Sequence, residues 1–172
     1  IFHLSWGFNY HRIPLNEQLA ITISYSKQDL EERLDKLIQQ SNHWHGQLVT
    51  SDTVAVEFPL TKDQTQEKVS LYSPFYHDTF LNVARVKISL LRLPLSYMGY
   101  SGYLNPFTLE SQVNTKMPLI SQITTSFHEA AHQLGYASEK EANFIAYISA
   151  IKNNDPYIKF AGYTFASKYL YY

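Results

Sequence analysis

The segment His128-Glu129-Ala130-Ala131-His132 limits what this chain can fold into more than any other stretch. Its H-E-x-x-H spacing has a chemical use only on an α-helix, where residues i and i+4 share a face and both imidazoles reach one ion. At 3.6 residues per turn, Glu129 stands about 100° around the helix from His128. That keeps it off a metal but beside a water the metal would carry. Zinc accepts neutral imidazole nitrogen at about 2.0–2.1 Å, and it lowers the pKa of its water to about 7, within reach of a carboxylate base. The flanking Phe127, Ala130, Ala131 and Leu134 are apolar, so the expected helix is buried, and buried ionisable histidines need a reason. The bland alternative is two histidines on a helix face with no metal.

A catalytic zinc keeps three protein ligands and one open position. The chain contains no cysteine, so any site must be built from His, Asp and Glu, and disulfides are excluded. Glu139-Lys140-Glu141-Ala142-Asn143 follows directly on Gly135, a good residue for ending the motif helix. Glu139 and Asn143 share a helix face, so Glu139 is the expected third ligand, with Asn143 holding a ligand histidine from behind by a hydrogen bond. Glu141 is the competitor, turned instead toward the face of Ile145. Either glutamate can equally be a solvated first-turn acid favoured by the helix dipole.

The 172 residues suffice for one domain with a hydrophobic core, 45% of them hydrophobic, which argues against disorder. A formal net charge of −1 gives no electrostatic footprint for nucleic acid. Fourteen tyrosines and ten phenylalanines suit surfaces that are half apolar and half wet. No apolar run is long enough to span a bilayer. The opening Ile1-Phe2-His3-Leu4-Ser5-Trp6-Gly7-Phe8-Asn9-Tyr10 reads as the end of an apolar segment followed by an interfacial aromatic belt. Residues 1–12 are therefore expected to be the close of a membrane-proximal segment, trimmed at its start.

Along the chain, Ser26 reads as the N-cap of a helix through Leu30, Leu34, Leu37 and Ile38 to about Asn42. Residues 63–82 are expected to be partly helical, broken at Pro74. Alternation at Val86, Ile88 and Leu90 predicts a strand over 84–95, and a small sheet is expected over roughly 84–114. From about Ser121 the chain reads as helical: the motif helix to Gly135, a second helix from Ser138 to about Ile151 stopped by Asn153-Asn154-Asp155-Pro156, and a last one over 157–170. Segment 100–114, which joins the expected sheet to the motif helix, is the candidate substrate rim, an edge to which a peptide could add as a strand. Tyr163, Tyr136 and Tyr103 are candidate donors to a developing oxyanion. His3, His11, His43, His45 and His77 are scattered, and His43 and His45 do not share a helix face.

The pairing of His128-Glu129-x-x-His132 with a following Glu-x-Glu-Ala-Asn-Phe resembles zincin peptidases with a glutamate third ligand. HtpX-type membrane proteases and prenyl-protein CAAX endopeptidases carry E-x-x-A-D at this place. Here Glu139-x-x-Ala142-Asn143 matches, with Asn143 for the aspartate, which removes a charge behind the ligands. The chain is more closely similar to an uncharacterised bacterial family of membrane-anchored, zinc-peptidase-like proteins, a domain of unknown function. That likeness is carried by residues 6–12, by 102–110, by Val113-Asn114, and by 128–137 and 139–144. It implies membrane helices upstream of this domain and an extracytoplasmic location. Together these readings predict an α+β, zincin-like domain over 1–172, binding Zn2+ and hydrolysing peptide bonds in a peptide or protein substrate. An alternative is a non-catalytic cell-envelope domain with a structural metal or none, binding a protein partner. A third is a hydrolase of a non-peptide amide.

Overall fold

A computed structural model describes residues 6–22, 24–51, 53–59, 61, 64, 68 and 86–171. Of the segment 63–82, expected to be partly helical, only Gln64 and Lys68 are described, both as helix; its break at Pro74, the first residues of the expected strand, and His3 and His77 lie outside the described residues. The observed fold is α+β, with a small mixed sheet among helices.

After a 3-10 turn over Gly7–His11 and a short helix α1 (Leu15–Gln18), the first long helix, α2, spans Lys27–Leu48. Ser26 caps it as expected: its hydroxyl accepts from the Asp29 amide while the Asp29 carboxylate accepts from the Ser26 amide. The helix runs past Asn42 to Leu48, because His43, Trp44 and His45 find partners. Trp44 lies under Lys159, and His45 bonds the Val54 carbonyl and packs on Phe160.

Strand β1 is only Val86–Ile88. The alternating run beyond it is not a strand, since Ser89 Oγ accepts from the Leu91 amide and turns the chain. Helix α3 (Arg92–Met98) follows, with Pro94 in the first turn where no helical N–H is required. Strands β2 (Gly102–Leu104) and β3 (Ser111–Val113) complete a three-stranded sheet in the order β1-β3-β2. β1 pairs parallel with β3, and β2 pairs antiparallel, Gly102 opposite Val113 and Leu104 opposite Ser111. Among the described residues β2 is therefore an edge.

Helices α4 (Leu119–Gln133), α5 (Glu139–Lys152) and α6 (Pro156–Tyr171) form the remainder. α4 lies between the sheet and the other two. Val86, Val113 and Ala130 pack on its sheet side, and Ile123 and Phe127 meet Ala146, Ala150, Ile158 and Ala161 on the other. α2 packs against the outside of α6, with a Ser41–Thr164 hydroxyl pair at 2.9 Å. No helix of the described residues is long and apolar enough to cross a membrane.

Small residues set the approach of α5 to α6. A Cβ placed on Gly162 would lie 2.6 Å from Ala150 Cβ, closer than two carbons can stand. Gly162→Ala gains about 1 kcal/mol of helix propensity, yet overpacking costs about 1–3 kcal/mol. The expected net is destabilisation in chemical denaturation, relieved in part by Ala150→Gly in the same chain. Equal or higher stability of the single variant would show that the helices yield freely.

Candidate metal centre

The motif falls on the last turns of α4, and the way that helix ends builds the site. Gly135 adopts φ +90°, the left-handed conformation that closes a helix with least strain on a residue lacking Cβ. Gly135 N donates to His132 O at 2.8 Å and Tyr136 N to Ala131 O at 3.2 Å, the two bonds of a Schellman cap. The cap brings the Tyr136 carbonyl over the helix end, where it accepts from His132 Nδ1 at 2.7 Å. A carbonyl only accepts, so the His132 proton is on Nδ1 and the lone pair on Nε2. His128 Nδ1 lies 2.8 Å from Asn143 Oδ1 on α5, which fixes the same tautomer.

Both free Nε2 atoms point at one carboxylate. Glu139 Oε2 is 3.1 Å from His128 Nε2, and Oε1 is 3.4 Å from His132 Nε2. The ligand-capable atoms of His128, His132 and Glu139 all lie within 4.8 Å of one another. Lone pairs facing each other repel unless a proton or a cation stands between them. Burial and the neighbouring His132 hold the His128 pKa below its ordinary value, against the opposing pull of Glu139 and Asn143. That disfavours the proton. The donor set of two imidazoles and a carboxylate is one that suits zinc, and among the described residues no fourth such group joins it.

Glu129 faces the same cavity and is 5% exposed. Burial, with the charge of Glu139 added, pushes its carboxyl up to about 8. Its Oε2 is buried without a hydrogen-bond partner among the protein atoms. Nearby positive charge would offset both penalties, which is a second sign that the residues fit a cation. The Glu129 backbone is pinned to the sheet, its carbonyl accepting from Ser111 Oγ at 2.5 Å. Its side chain lies directly against β2: a Cβ on Gly102 would meet Glu129 Oε1 at 2.7 Å and Cγ at 2.8 Å.

Of the residues expected at the site, the fold gathers His128, Glu129, His132, Glu139 and Asn143. Glu141 goes elsewhere, since its Oε1 accepts from the Leu15 amide at 2.5 Å at the start of α1. Tyr163 packs edge-on to Tyr147 and does not line the cavity. Tyr136 is buried with Arg12 stacked 4.1 Å above its ring, and Tyr103 gives its hydroxyl proton to Gln112 Oε1. None of the three tyrosines is presented as a free donor. Two residues escape the motif reading. Gly102 carries the signal of a glycine in a strand, which marks close approach of another group. Trp6, read as part of an interfacial belt, is 7% exposed and packs edge-on to His132, while Phe8 and Tyr10 of the same stretch are exposed.

Against this geometry, the model of DUF3810, described as a protein of unknown function, matches residues 1–172. The chain belongs to that family. No curated protein and no solved structure matches it. The expected membership in a domain of unknown function therefore holds, and the chemistry of the family rests on the residues themselves.

Residues 6–15 act as a strap over the α4–α5 turn. Arg12 donates to Leu134 O at 3.1 Å, Leu15 is buried beside Ala131 and Ala142, and Glu141 holds the Leu15 amide. Glu141→Ala is expected to cost about 1–2 kcal/mol, the scale of a partly buried amide left unpaired. Urea denaturation checks this, and an unchanged midpoint would mean that water replaces the carboxylate at no cost.

Proposed function

We propose that this chain is a zinc-dependent metallopeptidase domain of the zincin type, with His128, His132 and Glu139 as metal ligands and Glu129 as general base. The observation that carries the reading is the convergence of His128 Nε2, His132 Nε2 and the Glu139 carboxylate on one point, beside the buried carboxyl of Glu129. A zinc ion held there supplies Lewis acidity, polarising a carbonyl and lowering the pKa of water. Glu129 takes a proton from the attacking water at its partnerless Oε2 and passes it to the leaving amine. Asn143 and the Tyr136 carbonyl keep both histidines in the tautomer that presents Nε2. Gly102 leaves room for Glu129 against the strand.

The substrate is held along β2. Asn114 N donates to Ser101 O and Asn105 N to Glu110 O. In antiparallel pairing such bonded positions alternate, so the peptide groups of Gly102 and Leu104 face the open edge. An extended peptide adding there lies across the cavity that holds Glu129. The exposed position of Glu139, with its side chain 75% accessible, and the lack of a fourth protein ligand among the described residues favour an open coordination position over a structural metal. On the same reading the domain works at a bacterial membrane, on its extracytoplasmic side, with a peptide or protein as substrate.

Metal analysis should find one zinc per chain in the wild type and in Glu129→Gln, while a peptide-library assay finds cleavage by the wild type alone. Equal cleavage by both proteins rules out Glu129 as base, and loss of zinc from wild type on gel filtration rules out the ligand set. Asn143→Ala should bind zinc about 10–100-fold more weakly, as removal of a ligand's supporting hydrogen bond does elsewhere. Competition against a chelating dye reads this directly.

A further inference from the structure

We infer that the cavity takes the interior of an extended polypeptide bearing large apolar side chains, and does not select a chain end. The inference rests on the peptidase reading above and adds the substrate class. The cavity in front of Glu129 measures about 650 Å³, within the range of specific ligand sites. Its walls away from the metal centre carry Tyr10, Tyr100, Leu104 and Phe165 as their large side chains, with the small hydroxyls of Ser101, Thr124 and Thr125 between.

Choosing a chain terminus requires an opposite charge to hold it, because an unpaired ion leaving water costs several kcal/mol. Among the described lining residues there is no lysine or arginine to meet an α-carboxylate. The carboxylates are Glu129 and Glu139, both committed to the centre, so none is spare for an α-ammonium. A peptide paired along β2 can run past the site in both directions, which suits internal cleavage.

A second cavity of about 420 Å³ adjoins the first, with Tyr10 and Ala137 forming walls of both. Its lining is mostly apolar, with buried Leu15, part-buried Phe144 and the exposed Leu19 and Ile21 at its mouth. Two of its charged residues are engaged in the strap, Arg12 on Leu134 O and Tyr136, and Glu141 on the Leu15 amide. The third, Lys140, is exposed at the rim. This cavity is sized for a large apolar side chain of the same peptide. The sequence over 88–109 agrees, since Arg92 is its one charged residue and it includes the strand along which the peptide would lie.

The test separates binding from cutting. Glu129→Gln protein, with and without added zinc, is titrated with peptides by competition against a labelled peptide blocked at both ends. Blocked peptides carrying Phe or Leu around their centre should bind. Freeing either terminus should not tighten them, and Asp or Lys in place of the apolar residues should weaken them about tenfold or more, the scale of one lost apolar contact. Leu19→Asp, away from the metal centre, should weaken the apolar peptides similarly and leave zinc affinity unchanged. Binding that requires a free terminus, equal binding of charged peptides, or no binding at all overturns the inference. Binding as expected without cleavage by wild-type protein leaves the specificity standing and removes the peptidase reading.

Discussion

A left-handed backbone at Gly135 lets the chain reverse between His132 and Glu139, and the centre depends on that reversal. The same few residues end α4, supply the carbonyl that orients His132, and start α5 so that Glu139 and Asn143 both face back toward the motif. A Cβ at residue 135 would be strained by φ and would also stand 3.0 Å from Asn9 Oδ1. The turn is thus held from inside by its cap and from outside by the strap. Loosening either lets the two helices choose their angle independently, and the carboxylate would no longer meet the imidazoles.

Polar groups on α4 are buried at a cost that the surrounding elements offset one by one. Ser111 serves the Glu129 backbone, Asn143 serves His128, and Gln122 donates to the Met117 carbonyl. Glu129 Oε2 is left without such a partner, as are the amide oxygens of Gln122 and Gln133 on the same helix, and of the three Glu129 alone carries an ionisable group. Natural interiors seldom leave a buried polar atom unmatched, so the exceptions mark places where chemistry outweighs stability. Glu129 Oε2 lies beside three groups that could hold a cation.

The helices that build the centre were legible because their punctuation is local. Ser26 and Gly135 act through bonds within a turn or two, Ser138 stands at the N-cap of α5 without a side-chain bond, and the i, i+4 rule was enough to put Glu139 with Asn143 and to turn Glu141 to another face. The sheet was harder. Val86, Ile88 and Leu90 alternate with polar residues, yet only Val86–Ile88 pair, because register with Ser111–Val113 ends there and Ser89 turns the chain. Sequence spacing says nothing about which distant residues meet. The strap illustrates this: Trp6, Arg12 and Leu15 lie more than a hundred positions from their partners His132, Leu134 and Glu141. Tyr163 likewise faced no local rule that would tell it from the other tyrosines.

Trp6 gives the strap an optical side. The chain has two tryptophans, and the other, Trp44, sits under Lys159 where α2 meets α6. Indole emission responds to what touches the ring, and Trp6 packs edge-on to the His132 imidazole. With Trp44 replaced by phenylalanine, the protein carries a single tryptophan, beside His132. Occupancy by a quenching ion, or lifting of the strap, then becomes visible in solution without a label.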